Sequence, residues 1–269
     1  MPTTPPPRTR TGEQVLQPIW SPRGAKSSAA PTAAALVRAA SALVDEVRLD
    51  GGRVTKGVVR VGDTVRRPSK TSSPFVRDLL SHLKTHGFDG APRYLGVDER
   101  GREMFSYLEG EVPAELAADL SDEALVTAAR LIRRFHDATA GSPLAGEHET
   151  VCHHDLSPCN FVFRHGLPLA IIDFDAAAPG SRLEDLGYAI FLWLNLGTDG
   201  PQPSEQARRI TLFCTAYGLT ADSRPIDAIL EAVARNVERL ALEGRQADVE
   251  WWRAQLHWLQ WHRRDLAPQ

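Results

Sequence analysis

The sequence predicts an α+β chain built as two lobes, a small β-rich lobe followed by a mainly helical one. Three observations carry that expectation. Between residues 54 and 108 the apolar pattern takes a strand period around a single helix, with turn residues between the strands. The short connector Glu109-Gly110-Glu111-Val112-Pro113 follows, and beyond it the chain turns helical. Inside the helical part lie two short strands, 161–163 and 169–173, which read as a hairpin. Two lobes imply a cleft, and clefts between lobes are where ligands usually sit.

The 269 residues are 42% hydrophobic and 24% charged, enough for a sizeable core. A net charge of −3 gives no whole-molecule reason to expect nucleic acid or an anionic membrane as partner. The longest nearly apolar run, Leu186 to Leu196, falls well short of the roughly 20 residues of a membrane helix. The N-terminus, MPTTPPPRTRTGEQ, has positive charge with no apolar segment behind it, so no secretory signal is expected. Cys152, Cys159 and Cys214 are odd in number and form no metal-type CxxC pair. A cytoplasmic, reduced protein is the expectation; no oligomeric state follows from the sequence.

Taken in order, residues 1–30 are rich in Pro, Ser, Thr and Arg and read as a mobile tail. Leu36, Ala40, Leu43 and Val47 recur at helical spacing, which predicts an accessory amphipathic helix within 31–48. Strands are expected at Val54–Val61 and Thr64–Arg67, joined by Gly62-Asp63, then a helix over Pro74–His86 with Phe75, Leu79, Leu80 and Leu83 on one face. Two more strands, Arg93–Val97 and Glu103–Leu108, flank the turn at 98–101. Asp122 and Glu123 suit the first turn of a helix running to about Ala138. Ile226, Ile229, Leu230, Val233, Val237 and Leu240 make the clearest helical stripe.

Chemistry concentrates in Val151–Asp175. Asn160 stands five positions after Asp155, and Asp173 thirteen after Asn160, each beside one of the two short strands. A hairpin would bring Asn160 and Asp173 face to face, with Asp155 in the loop before them. An amide oxygen and a carboxylate suit a hard Mg²⁺ that takes its other ligands from water and phosphate. A nearby carboxylate can orient a hydroxyl and accept its proton. Those are the parts that phosphoryl transfer from ATP requires, since it depends mainly on positioning and charge neutralisation.

The run His153-His154-Asp155-Leu156-Ser157-Pro158-Cys159-Asn160 with Ile171-Ile172-Asp173-Phe174-Asp175 resembles the aminoglycoside phosphotransferase and choline kinase-like family, relatives of the protein kinases. Arg182-Leu183-Glu184-Asp185-Leu186-Gly187 is similar to that family's DLA segment, whose Asp braces the active-site loop. The likeness spans about four-fifths of the chain, from about Leu49 onward. It implies a bilobal protein kinase-like fold with a nucleotide-binding lobe at 49–108, a hinge at 109–113 and a catalytic lobe at 114–269. It also implies Asp155 as base, Asn160 and Asp173 as Mg²⁺ ligands, and Asp175 as a carboxylate without an assigned role. ATP, with GTP as the alternative, would meet backbone groups of Ser106, Tyr107 and Leu108 beside Glu109-Gly110, and Gly51 and Gly52 would fall near the loop covering the phosphates.

One part departs from the family. Its usual lysine on the third strand is missing from Thr64-Val65-Arg66-Arg67-Pro68, and the following helix has no glutamate. Arg66 or Arg67 could grip phosphate instead, Arg66 being the expected contact and Arg67 lying on the opposite face of the strand; Asp78 is the acid nearest to replacing the helix glutamate. Seven Lys/Arg against two Asp between Arg48 and Lys70 suit an anion-binding lobe and equally a charged sheet edge.

The resulting expectation is an ATP-dependent phosphotransferase acting on a hydroxyl of a small molecule or on a peptide Ser/Thr. The alternative is a non-catalytic kinase-like binding protein acting in immunity or complex assembly. His153-x-Asp155 also begins an iron facial triad, but the later histidines lie in a helical region; an HD phosphohydrolase needs the pair within a helix, and Pro158 follows. Cys152 and Cys159 read as small buried residues. Trp251, Trp258 and Trp261 read as a core-facing stripe, or as an acceptor platform.

Overall fold

The computed structural model describes residues 46–49, 57–116, 120–219 and 224–267. The tail over 1–30, the helix expected over 31–45, residues 54–56 of the first expected strand, and Gly51 and Gly52 lie outside them. Residues 46–48, read as the end of that helix, form a strand instead. Glu46 there is bound by Arg100 (2.8 Å) and Arg102 (3.0 Å), contacts that sequence spacing does not display.

The first lobe is one antiparallel sheet in the order β1-β2-β3-β5-β4. Its strands are β1 (Glu46–Arg48), β2 (Val59–Val61), β3 (Thr64–Pro68), β4 (Tyr94–Val97) and β5 (Arg102–Ser106). Gly62-Asp63 turns β2 into β3 as expected. Helix α1 (Ser73–Thr85) opens with Pro74 in its first turn, where a missing N–H costs nothing, and buries Val76, Leu79, Leu80 and Leu83.

The second lobe starts with α2 (Asp122–Thr139), capped by Ser121, whose hydroxyl accepts from the Ala124 N–H at 3.2 Å. Strand β7 (Phe161–Arg164) pairs with β8 (Leu167–Ile171) in the expected hairpin. Two three-residue strands that show no alternation in the sequence, β6 (Thr150–Cys152) and β9 (Ala178–Gly180), pair on either side of it. Helices α3 (Arg182–Trp193), α4 (Pro203–Tyr217), α5 (Pro225–Leu242), α6 (Gln246–Trp261) and α7 (Arg263–Leu266) complete the lobe.

The core runs through both lobes and is centred on aromatic side chains. Trp193 is fully buried against Phe161 and Phe163, and its Nε1–H donates to the Leu156 carbonyl at 2.9 Å. One side chain of α3 therefore fixes the hairpin and the loop before it; such burial contributes about 3 kcal/mol. The tryptophan stripe differs from expectation in part: Trp258 packs partly buried against the core as expected. Trp261 is 80% exposed and Trp251 43%, whereas Leu259 and the partly buried Trp252 face inward. Trp252 packs between Tyr188 and Phe191 of α3, and this partner, not helical spacing, selects the buried face.

Close approach of α3 and α5 depends on Gly187. A Cβ at that position would stand 2.2 Å from the Ala228 carbonyl oxygen, which is backbone and cannot rotate away. Gly187→Ala should cost about 1–3 kcal/mol and lower the melting temperature by about 5–10 °C in a calorimetric scan. An unchanged transition would mean that the two helices do not meet there.

Candidate active site

The loop after β6 is held by a buried carboxylate. Asp185, in the first turn of α3 and 1% exposed, accepts hydrogen bonds from the backbone N–H of His153 (2.7 Å) and of His154 (2.8 Å). Its third partner is His136 Nε2 at 3.0 Å, and the other nitrogen of His136 meets the Tyr217 hydroxyl at 2.8 Å. Burial alone would raise Asp185, yet the His136 hydrogen bond and the backbone donors hold it below the ordinary carboxylate value. His154 has φ of 60°, a conformation non-glycine residues rarely adopt, and the bond to Asp185 secures it.

His153 transmits this order onward. Its Nε2 lies 3.0 Å from the Ile172 carbonyl and its Nδ1 3.3 Å from the Asp155 N–H. A carbonyl only accepts and an N–H only donates, so the proton sits on Nε2 and the ring is neutral. Burial, which pushes its pKa down, agrees. The Asp155 carbonyl then accepts from Asn160 Nδ2 at 2.8 Å, and the Asn160 carbonyl accepts from the Ile172 N–H at 2.9 Å. Asp155, Asn160 and Asp173 are thereby brought to one end of the hairpin.

Asn160 and Asp173 offer oxygen. The amide nitrogen of Asn160 is engaged, which leaves its oxygen as the atom to offer a cation. Asp173 has a buried Oδ1 with no hydrogen-bond partner and a left-handed backbone at φ 61°. Burial, and then the neighbouring Asp175 carboxylate, push Asp173 up to about 6. Among the described residues no group of three or more His, Cys, Asp or Glu could hold a metal ion. The pair therefore fits a hard cation that brings further oxygen ligands with it, as Mg²⁺ does on a nucleotide.

The basic residues are arranged otherwise than the sequence suggests. Arg66 does not line the cavity and pairs instead with Asp98 at 3.3 Å. Arg67 lines the cleft, with Nε 3.3 Å from Glu103 and Nη1 2.8 Å from Asp175. The reason is register: Arg67 stands opposite Glu103 in the β3–β5 ladder, and Glu103 is 3% exposed. Asp78 is exposed and pairs with its neighbour Arg77, so it does not replace the missing glutamate. Lys70 also binds Asp175. Burial would raise Asp175, but the Lys70 hydrogen bond and the Arg67 charge keep it below the ordinary value.

Between the lobes lies a cavity of about 380 Å³. Val58, Val65, Leu80, Leu108, Val162 and Ile172 give it apolar walls, and Arg67, Asn160 and Asp173 line it too. Ser106 and Tyr107 also line it, but their N–H groups donate to the Arg93 and Asp63 carbonyls, both at 2.8 Å. A base docked there would be read by other backbone groups of the segment. Gly110, at φ 154°, lets the connector pass against the hairpin: a Cβ would lie 2.4 Å from the Phe163 carbonyl oxygen. Cys152 is buried as expected, whereas Cys159 is half-buried and lines the cavity. Glu103 and Lys70 are the residues sequence reading missed; the alternation of β3 set against β5 was the available signal for Glu103.

A profile described as "Phosphotransferase enzyme family" (APH) matches residues 142–224, which contain this loop, the hairpin and Asp185. The trifolitoxin immunity protein of Rhizobium leguminosarum bv. trifolii is 31% identical over 259 residues, covering 82% of this chain and 97% of the relative. Among solved structures, the GDP complex of aminoglycoside 2'-phosphotransferase-IIIa superposes with a TM-score of 0.57 at 17% identity, over 86% of this chain and 96% of that one. Macrolide 2'-phosphotransferase MphH from Brachybacterium faecium gives 0.54 at 17% identity, over 83% and 96%. These structural likenesses establish the bilobal kinase-like fold. No helix among the described residues is long and apolar enough to cross a membrane.

The raised Asp173 gives a pH signature. In the ligand-free protein its proton is held more tightly than in the unfolded chain, so its contribution favours the fold below the ordinary value of 3.8 and is lost as pH rises through about 6. Asp173→Asn, which keeps the shape without the charge, should melt above wild type at pH 7.5 and lose that advantage at pH 4.5. Equal differences at both pH values would refute the assignment of Asp173 as a strained carboxylate.

Proposed function

This chain belongs to the phosphotransferase enzyme family (APH), and we propose that it moves the γ-phosphoryl group of ATP to a hydroxyl of a small molecule or peptide. The observation that carries this reading is the convergence of Asn160, Asp173 and Arg67 on one cavity with apolar walls, with the Asp155 backbone fixed from both sides. Asn160 and Asp173 hold Mg²⁺ through oxygen. When bound, the ion neutralises and aligns the phosphate oxygens. Val65 and Ile172 border the base, adenine or guanine, and exclude water. Asp155 orients the acceptor hydroxyl and receives its proton on a carboxylate oxygen. His153, neutral throughout, keeps that loop in register.

The pairing of acidic side chains in the helical lobe weighs against a strongly cationic acceptor. Several acidic side chains of the helical lobe are paired within the protein: Glu205 with Arg208 and Arg209, Asp227 with Arg263, Glu243 with Arg239, Asp248 with Arg245. A pocket for a polycation needs carboxylates not already neutralised. A second reading follows from the name of the immunity protein in Rhizobium: this chain protects its producer by binding without transferring phosphate.

Nucleotide titration with and without Mg²⁺, followed by phosphate transfer to macrolides, aminoglycosides and Ser/Thr peptides, separates the two. Asp155→Asn should leave nucleotide affinity within about twofold and lower turnover by roughly 10²–10⁴-fold. Asp173→Ala should lose the gain that Mg²⁺ gives ATP. Wild-type turnover in Asp155→Asn would contradict the base assignment, and no ATP binding by the wild type would favour the second reading.

A further inference from the structure

An anion stands beside the cleft, bound to Arg67, which lines it. Asp175 stands between two cations, with Oδ1 2.8 Å from Arg67 Nη1 and Oδ2 bound by Lys70. This pairing leaves hydrogen-bonding capacity unused. Nη2 of Arg67 is buried with no hydrogen-bond partner, and Oδ1 of Asp175, though close to Nη1, has no aligned donor either. The Arg67 side chain is only 10% exposed, so water does not make up the deficit. A carboxylate has two oxygens and one charge; a polyphosphate has more of both and can satisfy a guanidinium bidentately.

We infer that Asp175 is a stand-in for nucleotide phosphate, holding Arg67 and Lys70 until phosphate displaces it, while Glu103 keeps Arg67 in place through the exchange. This rests on the nucleotide-binding reading above and adds to it a competing anion and a positioning residue. Glu103 suits that part. It is 3% exposed, faces Arg67 across two hydrogen-bonded strands, and binds Nε, leaving the two Nη groups directed elsewhere. The guanidinium also lies 4.9 Å from the centre of the Phe105 ring, which restricts its swing. Asp175 sits just beyond β8, so its release needs no change in the sheet. Its departure frees Arg67, which lines the cavity, and Lys70 beside it.

The test is calorimetric titration of wild type, Asp175→Asn, Arg67→Lys and Glu103→Gln with inorganic tripolyphosphate, Mg²⁺-free ATP and adenosine. Asp175→Asn should bind tripolyphosphate and Mg²⁺-free ATP about tenfold or more tightly than wild type, the worth of one charge-assisted bond no longer contested. Adenosine should bind all four proteins alike. Arg67→Lys should weaken both phosphate ligands, because an ammonium cannot reproduce the fork. Glu103→Gln should weaken them about tenfold with adenosine unchanged. A Glu103→Gln protein that fails to fold is replaced by Glu103→Asp, which keeps the charge and should restore part of the phosphate affinity. Unchanged or weaker phosphate binding in Asp175→Asn, with adenosine still bound, would overturn the stand-in alone. Loss of adenosine binding in the wild type would overturn the nucleotide reading and the stand-in with it.

Discussion

A carboxylate sealed from water must be met by donors or give up its charge, and Asp185 is met by three. The rest of the site hangs from that constraint. Asp185 fixes the N–H groups of His153 and His154; His153 fixes the Asp155 N–H; Asn160 fixes the Asp155 carbonyl; and Ile172 ties Asn160 to the strand leading to Asp173. Each step is a hydrogen bond between groups with few alternatives. A loop in a left-handed conformation at His154 would otherwise relax. The order runs outward from the buried end of α3, which Trp193 and Gly187 lock into the lobe at its other positions.

Charges in the protein fall into two groups with different uses. Those at the brace are fully matched: Asp185 has a partner for each oxygen, and His136 for each nitrogen. Those in the cleft are matched by charge but not by geometry. Asp173 keeps an orphan oxygen, Arg67 an orphan nitrogen, and burial together with the neighbouring Asp175 carboxylate pushes Asp173 up to about 6. Such an arrangement costs stability, and on the proposed reading a cation and an anion arriving together would relieve the cost. Buried polar groups left unpaired cluster where ligands bind. The fold tolerates them because the hairpin and α3 over-determine the backbone beneath.

The two-lobe order, the hairpin and the trio Asp155, Asn160 and Asp173 were legible in the sequence, because they depend on local spacing around two short strands. Helix α5 was legible too, since its stripe is buried along its whole length. What could not be read depended on partners far away in the chain. The 46–48 strand is set by its pairing with β2 and by arginines more than fifty residues on. The choice of Arg67 over Arg66 depends on which face of β3 meets Glu103. β6 and β9 are three residues each, too short to show a period. Of the α6 tryptophans, Trp258 faces the core as helical spacing predicts, but Trp251 and Trp261 are exposed, because spacing names a stripe while Tyr188 and Phe191 decide which side chains are covered. Lys70 was counted among the basic residues, but nothing local linked it to Asp175, 105 positions away.

The central claim is that one buried carboxylate organises a cleft in which protein oxygens and nucleotide phosphate together hold a divalent cation. Mn²⁺ can replace Mg²⁺ at such oxygen sites, and electron paramagnetic resonance counts bound Mn²⁺ directly. The account predicts one Mn²⁺ per chain that binds only when ATP is present, and a marked loss of that binding in Asp185→Asn although the chain remains folded. A Mn²⁺ site indifferent to ATP, or a nucleotide-dependent site left intact in Asp185→Asn, would contradict it.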